Sequence, residues 1–120
     1  MERNWDLVRR ILIEMEKRKE FEYLKSNEIK DFPENLVSYH MEIMQEAGLI
    51  EARFSMSFNL MEATALRLTW QGHEFLDSIR ADTVWKQVKE TALQKGIALT
   101  FDLVGRVAGN CAARFLGLPT

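Results

Sequence analysis

Apolar and polar positions change period several times along this chain. Between Phe32 and Ala47, apolar side chains recur at Leu36, Val37, Ile43, Met44 and Ala47, with Tyr39, His40 and Met41 between them. That spacing predicts one helix with a broad buried stripe. Pro33 suits its first position and Glu34 its positively polarised first turn. Gly48 predicts a stop in the left-handed conformation, with Leu49 folding back on Met44. From there the period becomes two. Ile50, Ala52, Phe54, Met56 and Phe58 alternate with Glu51, Arg53, Ser55, Ser57 and Asn59, which predicts a half-buried strand.

The same reading places the other elements. Asn4 caps a first helix whose stripe is Trp5, Val8, Ile11, Leu12 and Met15, with Leu7 beside it, ending near Arg18 or Lys19. Phe21 to Lys25 predicts a short strand with Phe21 and Tyr23 on one face. Ser26 to Asp31 reads as a polar connection or a single helical turn; residues 20–31 are left open between strand and short helix. Asn59 to Thr64 predicts a hairpin turn, without the Asn-Gly or Asp-Gly that would fix its type. Leu66 and Leu68 belong to the returning strand. Thr69 caps a helix from Trp70 to about Arg80, with Trp70, Phe75, Leu76 and Ile79 buried, and Gly72 lets its first turn pack closely on backbone. Asp82 or Thr83 starts a helix that Gly96 ends, with Val84, Trp85, Val88, Ala92 and Leu93 as its stripe. A last helix runs from Thr100 or Asp102 to about Leu116.

Two segments resemble a winged helix-turn-helix domain. One is Tyr39 to Ile50, similar to a recognition helix running into a wing. The other is Leu66 to Leu76, with Leu-Thr-x-x-Gly-x-x-x-Leu spacing, similar to the strand that leaves the wing for the next helix. More closely, the chain is similar to an uncharacterised bacterial and phage family of unknown function. The shared pieces are Asn4 to Leu12, Tyr39-His40 with Ala47 to Ile50, Leu68-Thr-Trp-Gln-Gly-His-Glu-Phe-Leu-Asp77, Ile79-Arg80 and Val84-Trp85. The resemblance implies an α+β, winged-helix-like fold and no established activity. The expected organisation is a winged-helix-like domain over residues 1–81, with C-terminal helices over 82–120 that pack on it or mediate association. Residues 20–31 depart from the pattern, because no separate helix precedes the recognition-type helix there.

Composition changes this picture little. The net charge of −2 gives no global attraction to nucleic acid, so any such attraction needs a local patch. One cysteine, Cys111, excludes an internal disulfide and suits a reducing compartment. No uncharged run is long enough to span a bilayer and no signal-like segment opens the sequence, so the expected address is the cytoplasm, without membrane contact.

Chemistry is sparse. His40, His73 and Cys111 lack metal-site spacing, and there is no phosphate-binding glycine loop. No metal, cofactor or catalytic residue is expected, and the chain reads as a non-enzyme. From Pro33 to Ala47 there is no Lys or Arg, whereas phosphate and base contacts favour such side chains. The candidate binding surface comprises Tyr39, His40, Glu42 and Gln45, with Arg9, Arg10, Lys17, Arg18, Lys19, Arg53 and Arg67 as a basic face if the fold gathers them. Val104, Val107, Ala108, Cys111, Ala112 and Phe115 form a candidate association stripe, which either packs on its own domain or pairs with a second chain. The expected function is a non-enzymatic binding module for a protein partner, a homodimer being one form of it. The alternative is a DNA-binding regulator, which the acidic central helix does not favour.

Overall fold

A computed structural model of the chain describes residues 2–96, 98–100 and 102–108. The chain is α+β and divides into two compact units, Met1–Glu74 and Phe75–Thr120. The first unit contains helix α1 (Trp5–Glu16), strand β1 (Leu24–Lys25), helix α2 (Glu34–Glu46), strands β2 (Ile50–Ser57) and β3 (Leu60–Leu68), and the first turn of helix α3 (Trp70–Ile79). The second holds the remainder of α3, helix α4 (Asp82–Lys95) and helical residues 102–108. Among the described residues no helix is long and apolar enough to cross a membrane.

Asn4 caps α1 as its residue type requires, its side-chain oxygen accepting from the Leu7 amide at 3.2 Å. Leu7, Val8, Ile11, Leu12 and Met15 are buried. Leu7 is therefore inside the stripe, and Trp5 is only half-buried, under the guanidinium of Arg3. The helix stops at Glu16, two residues before the expected end, because the chain must turn back to reach β1. α2 begins at Glu34, one residue later than expected. Pro33 has helical φ but extended ψ, and its carbonyl accepts from Leu36 and Val37 as a flanking residue.

The end of α2 follows its sequence closely. Gly48 has φ +78, the Leu49 amide donates to Met44 and the Gly48 amide to Gln45. Those two bonds are a Schellman closure, and Leu49 and Met44 are both buried. Thr69 then ties this turn to α3. Its amide donates to the Leu49 carbonyl, its hydroxyl donates to the Gly48 carbonyl, and the same hydroxyl accepts from the Gly72 amide. The backbones approach so closely that a Cβ on Gly72 would lie 2.0 Å from the Leu49 oxygen.

The sheet is antiparallel in the order β1-β3-β2. Its β1 strand is much shorter than the sequence suggests. Phe21 and Tyr23 are exposed, Phe21 has positive φ, and the buried residue is Leu24. Residues 20–31 contain this two-residue strand and turns, with no helix. Ser26 and Ile29 are buried although the segment reads as polar. Ser26 continues the ladder, its amide donating to the Ala63 carbonyl and its hydroxyl accepting from the Ala63 amide.

The β2–β3 turn is Phe58-Asn59, not 59–64, and both residues have positive φ. That is the type I′ geometry that matches strand twist, although Phe is a poor residue for it. The expected inward face also fails at the far end of β2, where Met56 is 67% exposed and Phe58, now in the turn, 101%.

In the second unit Phe75, Leu76 and Ile79 are buried, as are Val84, Trp85, Val88 and Ala92 of α4, which ends at Gly96 with φ +64. Three residues expected in helical cores are outside: Ala47 at the end of α2 is exposed, and Trp70 at the start of α3 and Leu93 of α4 are 75% and 83% exposed. Trp70 lies two residues, about 200° of rotation, from the face defined by Gly72, Leu76 and Ile79. Leu93 lies about 100° past Ala92, off the stripe of Val84, Val88 and Ala92.

These contacts set an order of sensitivity. Gly72→Ala should destabilise the protein by about 3 kcal/mol or more, because its Cβ meets backbone that cannot rotate away. Gly48→Ala should cost only about 1 kcal/mol, because its Cβ meets open space and only the left-handed φ is penalised. Urea unfolding of both variants checks this; equal losses would mean the close approach at Leu49 does not constrain the fold.

Candidate functional site

The segment between α1 and β1 and the end of β3 border a cleft of about 480 Å³ within the first unit. Met15, Leu66 and Leu68 supply apolar lining, and Phe21 and Tyr23 add two exposed aromatic rings. Local geometry explains both features. Glu51 faces Arg67 and Ala52 faces Ala65, so Leu66 is an extra residue in β3 with no partner on β2. Such a bulge re-aims a side chain. Phe21 has φ +65 in a turn closed by the Glu22 amide donating to the Lys19 carbonyl. A bulky residue in left-handed backbone is strained, and such strain persists only where the surroundings hold it.

The cleft is not a cationic pocket. Arg18, Lys19 and Arg67 are met by four carboxylates, Glu16, Glu20, Glu22 and Glu51, with His73 also in the lining. Arg67 makes a two-pronged pair with Glu51 at 2.9 and 2.6 Å. Arg18 pairs with Glu28 at 3.0 Å, and its Nε is buried with no hydrogen-bond partner among the described residues.

The other sequence candidates are dispersed. Arg10 bonds Asp31 at 2.8 Å and Glu14 at 3.3 Å, and Lys17 lies 3.5 Å from Glu14. Arg53 is exposed on β2 opposite Thr64, and Arg9 is half-buried on α1. Thus three of the seven cations meet at the cleft, and Arg9, Arg10, Lys17 and Arg53 are not in its lining. Exposed ion pairs of this kind contribute little stability, but they cancel charge that phosphate would need.

His40 and Gln45 are engaged in the fold. His40 is fully buried. Its Nε2 accepts from the Asn4 amide at 2.8 Å, so Nδ1 carries the proton and donates to the Leu36 carbonyl at 2.8 Å. The ring thereby ties the cap of α1 to α2, and it is a core residue instead of a surface one. Burial pushes its pKa below the ordinary histidine value, opposed by the Leu36 bond. Gln45 accepts from the Ala52 amide at 2.6 Å, beside the bulge. Tyr39 is half-buried edge-on to His40, and Glu42 is half-buried on the same helix.

In the C-terminal stripe Val104 and Ala108 are buried and Val107 is half-buried, on a helix whose Leu103 amide is capped by Thr100. A side chain at Gly105 would meet nothing within 4 Å. Cys111, Ala112 and Phe115 lie outside the described residues. Phe21, Tyr23 and Leu66 were not among the sequence candidates. Neither the positive φ of Phe21 nor the bulge at Leu66 is marked by the Gly or Asn that usually signals one.

Comparison with known proteins gives kinship without chemistry. A family model described as hypothetical protein (DUF2513) matches residues 2–98. An uncharacterized protein of Haemophilus influenzae is 44% identical over 117 residues, covering 97% of this chain and 99% of that protein. No solved structure matches.

His40 gives a pH prediction. Its folded-state pKa lies below the unfolded value of about 6.5, so the unfolded chain binds the proton first as pH falls. Its stabilisation is complete above about pH 6.5 and is lost as pH falls through the folded-state value. His40→Leu should cost about 2 kcal/mol at about pH 8, because the Asn4 amide loses its acceptor. The gap between wild type and variant should then narrow on acidification. Thermal unfolding from about pH 8 to about pH 5 measures this; a constant gap would uncouple the imidazole from folding.

Proposed function

The chain belongs to this hypothetical-protein family, DUF2513, and from that premise we propose that it is a non-enzymatic, winged-helix-like module that binds a protein partner. The Phe21–Tyr23 cleft is the contact site. The winged-helix reading is supported by chain order. α2 passes through Gly48 directly into β2, the hairpin returns as β3, and β1 pairs on the other side of β3. The turns at residues 26–33 stand where a DNA-binding module carries another helix.

One observation carries the choice of partner. Two exposed aromatic rings border a cleft that has Met15, Leu66 and Leu68 in its lining and whose three cations are outnumbered by carboxylates. Aromatic side chains beside apolar pockets suit protein anchors, whereas duplex DNA needs uncompensated cations. α2 points the same way, since Glu34, Glu42 and Glu46 are its charged residues and Gln45 is engaged with Ala52.

The test pairs two assays. Wild-type protein used as bait in its native cell should retain a partner that Phe21→Ser/Tyr23→Ser loses by about tenfold or more, and the purified pair should reproduce the difference. Binding to random-sequence duplex at low salt should be absent. Salt-sensitive duplex binding that drops on Lys19→Ala or Arg53→Ala, without an aromatic-dependent protein partner, would sink this reading in favour of a DNA-binding regulator.

A further inference from the structure

We infer that the free edge of β2 pairs with the same edge of a second copy of this chain, antiparallel about Ser55. The inference rests on the protein-binding reading above and names one partner. It uses a different surface, the edge of the sheet away from β1.

In the order β1-β3-β2, no described strand pairs with the outer edge of β2, and since the Ala52 amide donates to Gln45 the edge on offer is that of residues 53–57. From Ala52 to Ser57 the strand is regular, its register with β3 unbroken from Ala52↔Ala65 to Ser57↔Leu60. Protected edges carry Pro, Lys, inward charges or a bulge that twists them away. This stretch has no Pro and no Lys, and the bulge lies before Ala52. Its sole charge is Arg53.

Three features favour a second copy as the occupant. The first is the apolar register. An antiparallel mate centred on Ser55 sets Phe54 opposite Met56 of the partner subunit, and the reverse. Phe54 and Met56 share one face of the sheet with Met61, and Met56 is 67% exposed. Each ring would cover the other chain's thioether, a favourable cross-strand pair. The second is the polar register. Arg53 faces the partner's Ser57 and Ser55 faces itself, so no like charges oppose each other.

The third is charge complementarity. On the polar face Arg53 lies opposite Thr64, and Glu62 lies opposite Ser55. The two-fold mate brings Arg53 to about 12 Å, Cα to Cα, from Glu62 of the partner subunit, within reach of two extended side chains. The product is one continuous sheet, β1-β3-β2-β2-β3-β1.

The register makes a covalent test available. A residue on the axis faces its own copy at about 4.5–5.5 Å between Cα atoms, within disulfide range. In a Cys111→Ser background, Ser55→Cys should oxidise to a covalent dimer much faster than Ser57→Cys, whose copies lie about 13 Å apart along the strand. Sedimentation across micromolar to millimolar concentrations should show a monomer–dimer equilibrium, weakened about tenfold or more by Met56→Lys. Arg53→Glu and Glu62→Arg should each weaken it and the double reversal restore it, with circular dichroism confirming that each variant is folded. A chain monomeric throughout, with equal crosslinking at both positions, overturns the inference and leaves the cleft reading to its own test. Dimerisation indifferent to Met56→Lys, with no preference for Ser55→Cys, also overturns it by placing the contact elsewhere.

Discussion

The carbonyl oxygen of Leu49 fills the space where a side chain at Gly72 would stand, and much of the first unit depends on that approach. The Thr69 amide donates to the same carbonyl, and the Thr69 hydroxyl joins Gly48 to the first turn of α3. Four chain segments meet here: the end of α2, the start of β2, the end of β3 and the start of α3. Any residue other than glycine at position 72 would push α3 away from this turn. Thr69 would then keep neither its cap nor its bond to Gly48. The geometry joins helix to strand with little room for adjustment, since the groups in contact are backbone.

Polar side chains provide the other ties, His40 and Ser26 from inside and Gln45 from an exposed position. His40 links the cap of α1 to α2, Ser26 prolongs β1 along β3, and Gln45 serves the Ala52 amide beside the bulge. His40 and Ser26 each meet a buried or part-buried backbone amide that would otherwise be unsatisfied. This accounting removes His40 from the outer surface and leaves Gln45 exposed with its side-chain oxygen engaged by the Ala52 amide. It also explains why a unit with so short a β1 keeps a defined three-stranded order.

What remains outward is uneven. Carboxylates answer Arg10, Lys17, Arg18 and Arg67, so the charge at those positions is locally balanced. Among the described residues, the large apolar side chains left in water are Phe21, Tyr23, Met56, Phe58, Trp70 and Leu93. Two of them, Phe21 and Phe58, sit in left-handed backbone. Scattered exposed apolar residues are ordinary, but bulky residues held out on strained backbone are not. That asymmetry, screened charge beside unscreened apolar surface, is the physical basis for reading the chain as a protein-binding module.

The sequence alone determined the features that local chemistry controls. Asn4, Gly48, Thr69 and Gly96 end or begin helices through their own dihedral preference or side-chain oxygen, and Gly72 betrayed close packing. Helical periodicity found most of the cores of α1 and α4 because one stripe must face inward. In α2 it found Val37 and Met44, but Ala47 is exposed and Ser38 is buried. Tertiary structure decided the rest. Trp70 and Leu93 looked like core by residue type, but the direction of each helix's buried face is set by what it packs against. Phe21, Phe58 and the extra residue Leu66 take conformations their residue types do not signal, because chain closure around the sheet imposes them. Whether Arg18, Lys19 and Arg67 form a basic face depended on which carboxylates folding brought beside them, as Glu28 and Glu51 are distant in sequence from their partners. Salt screens exposed charges from one another beyond about 8–10 Å, so charge patterning acquires meaning only once those distances are fixed.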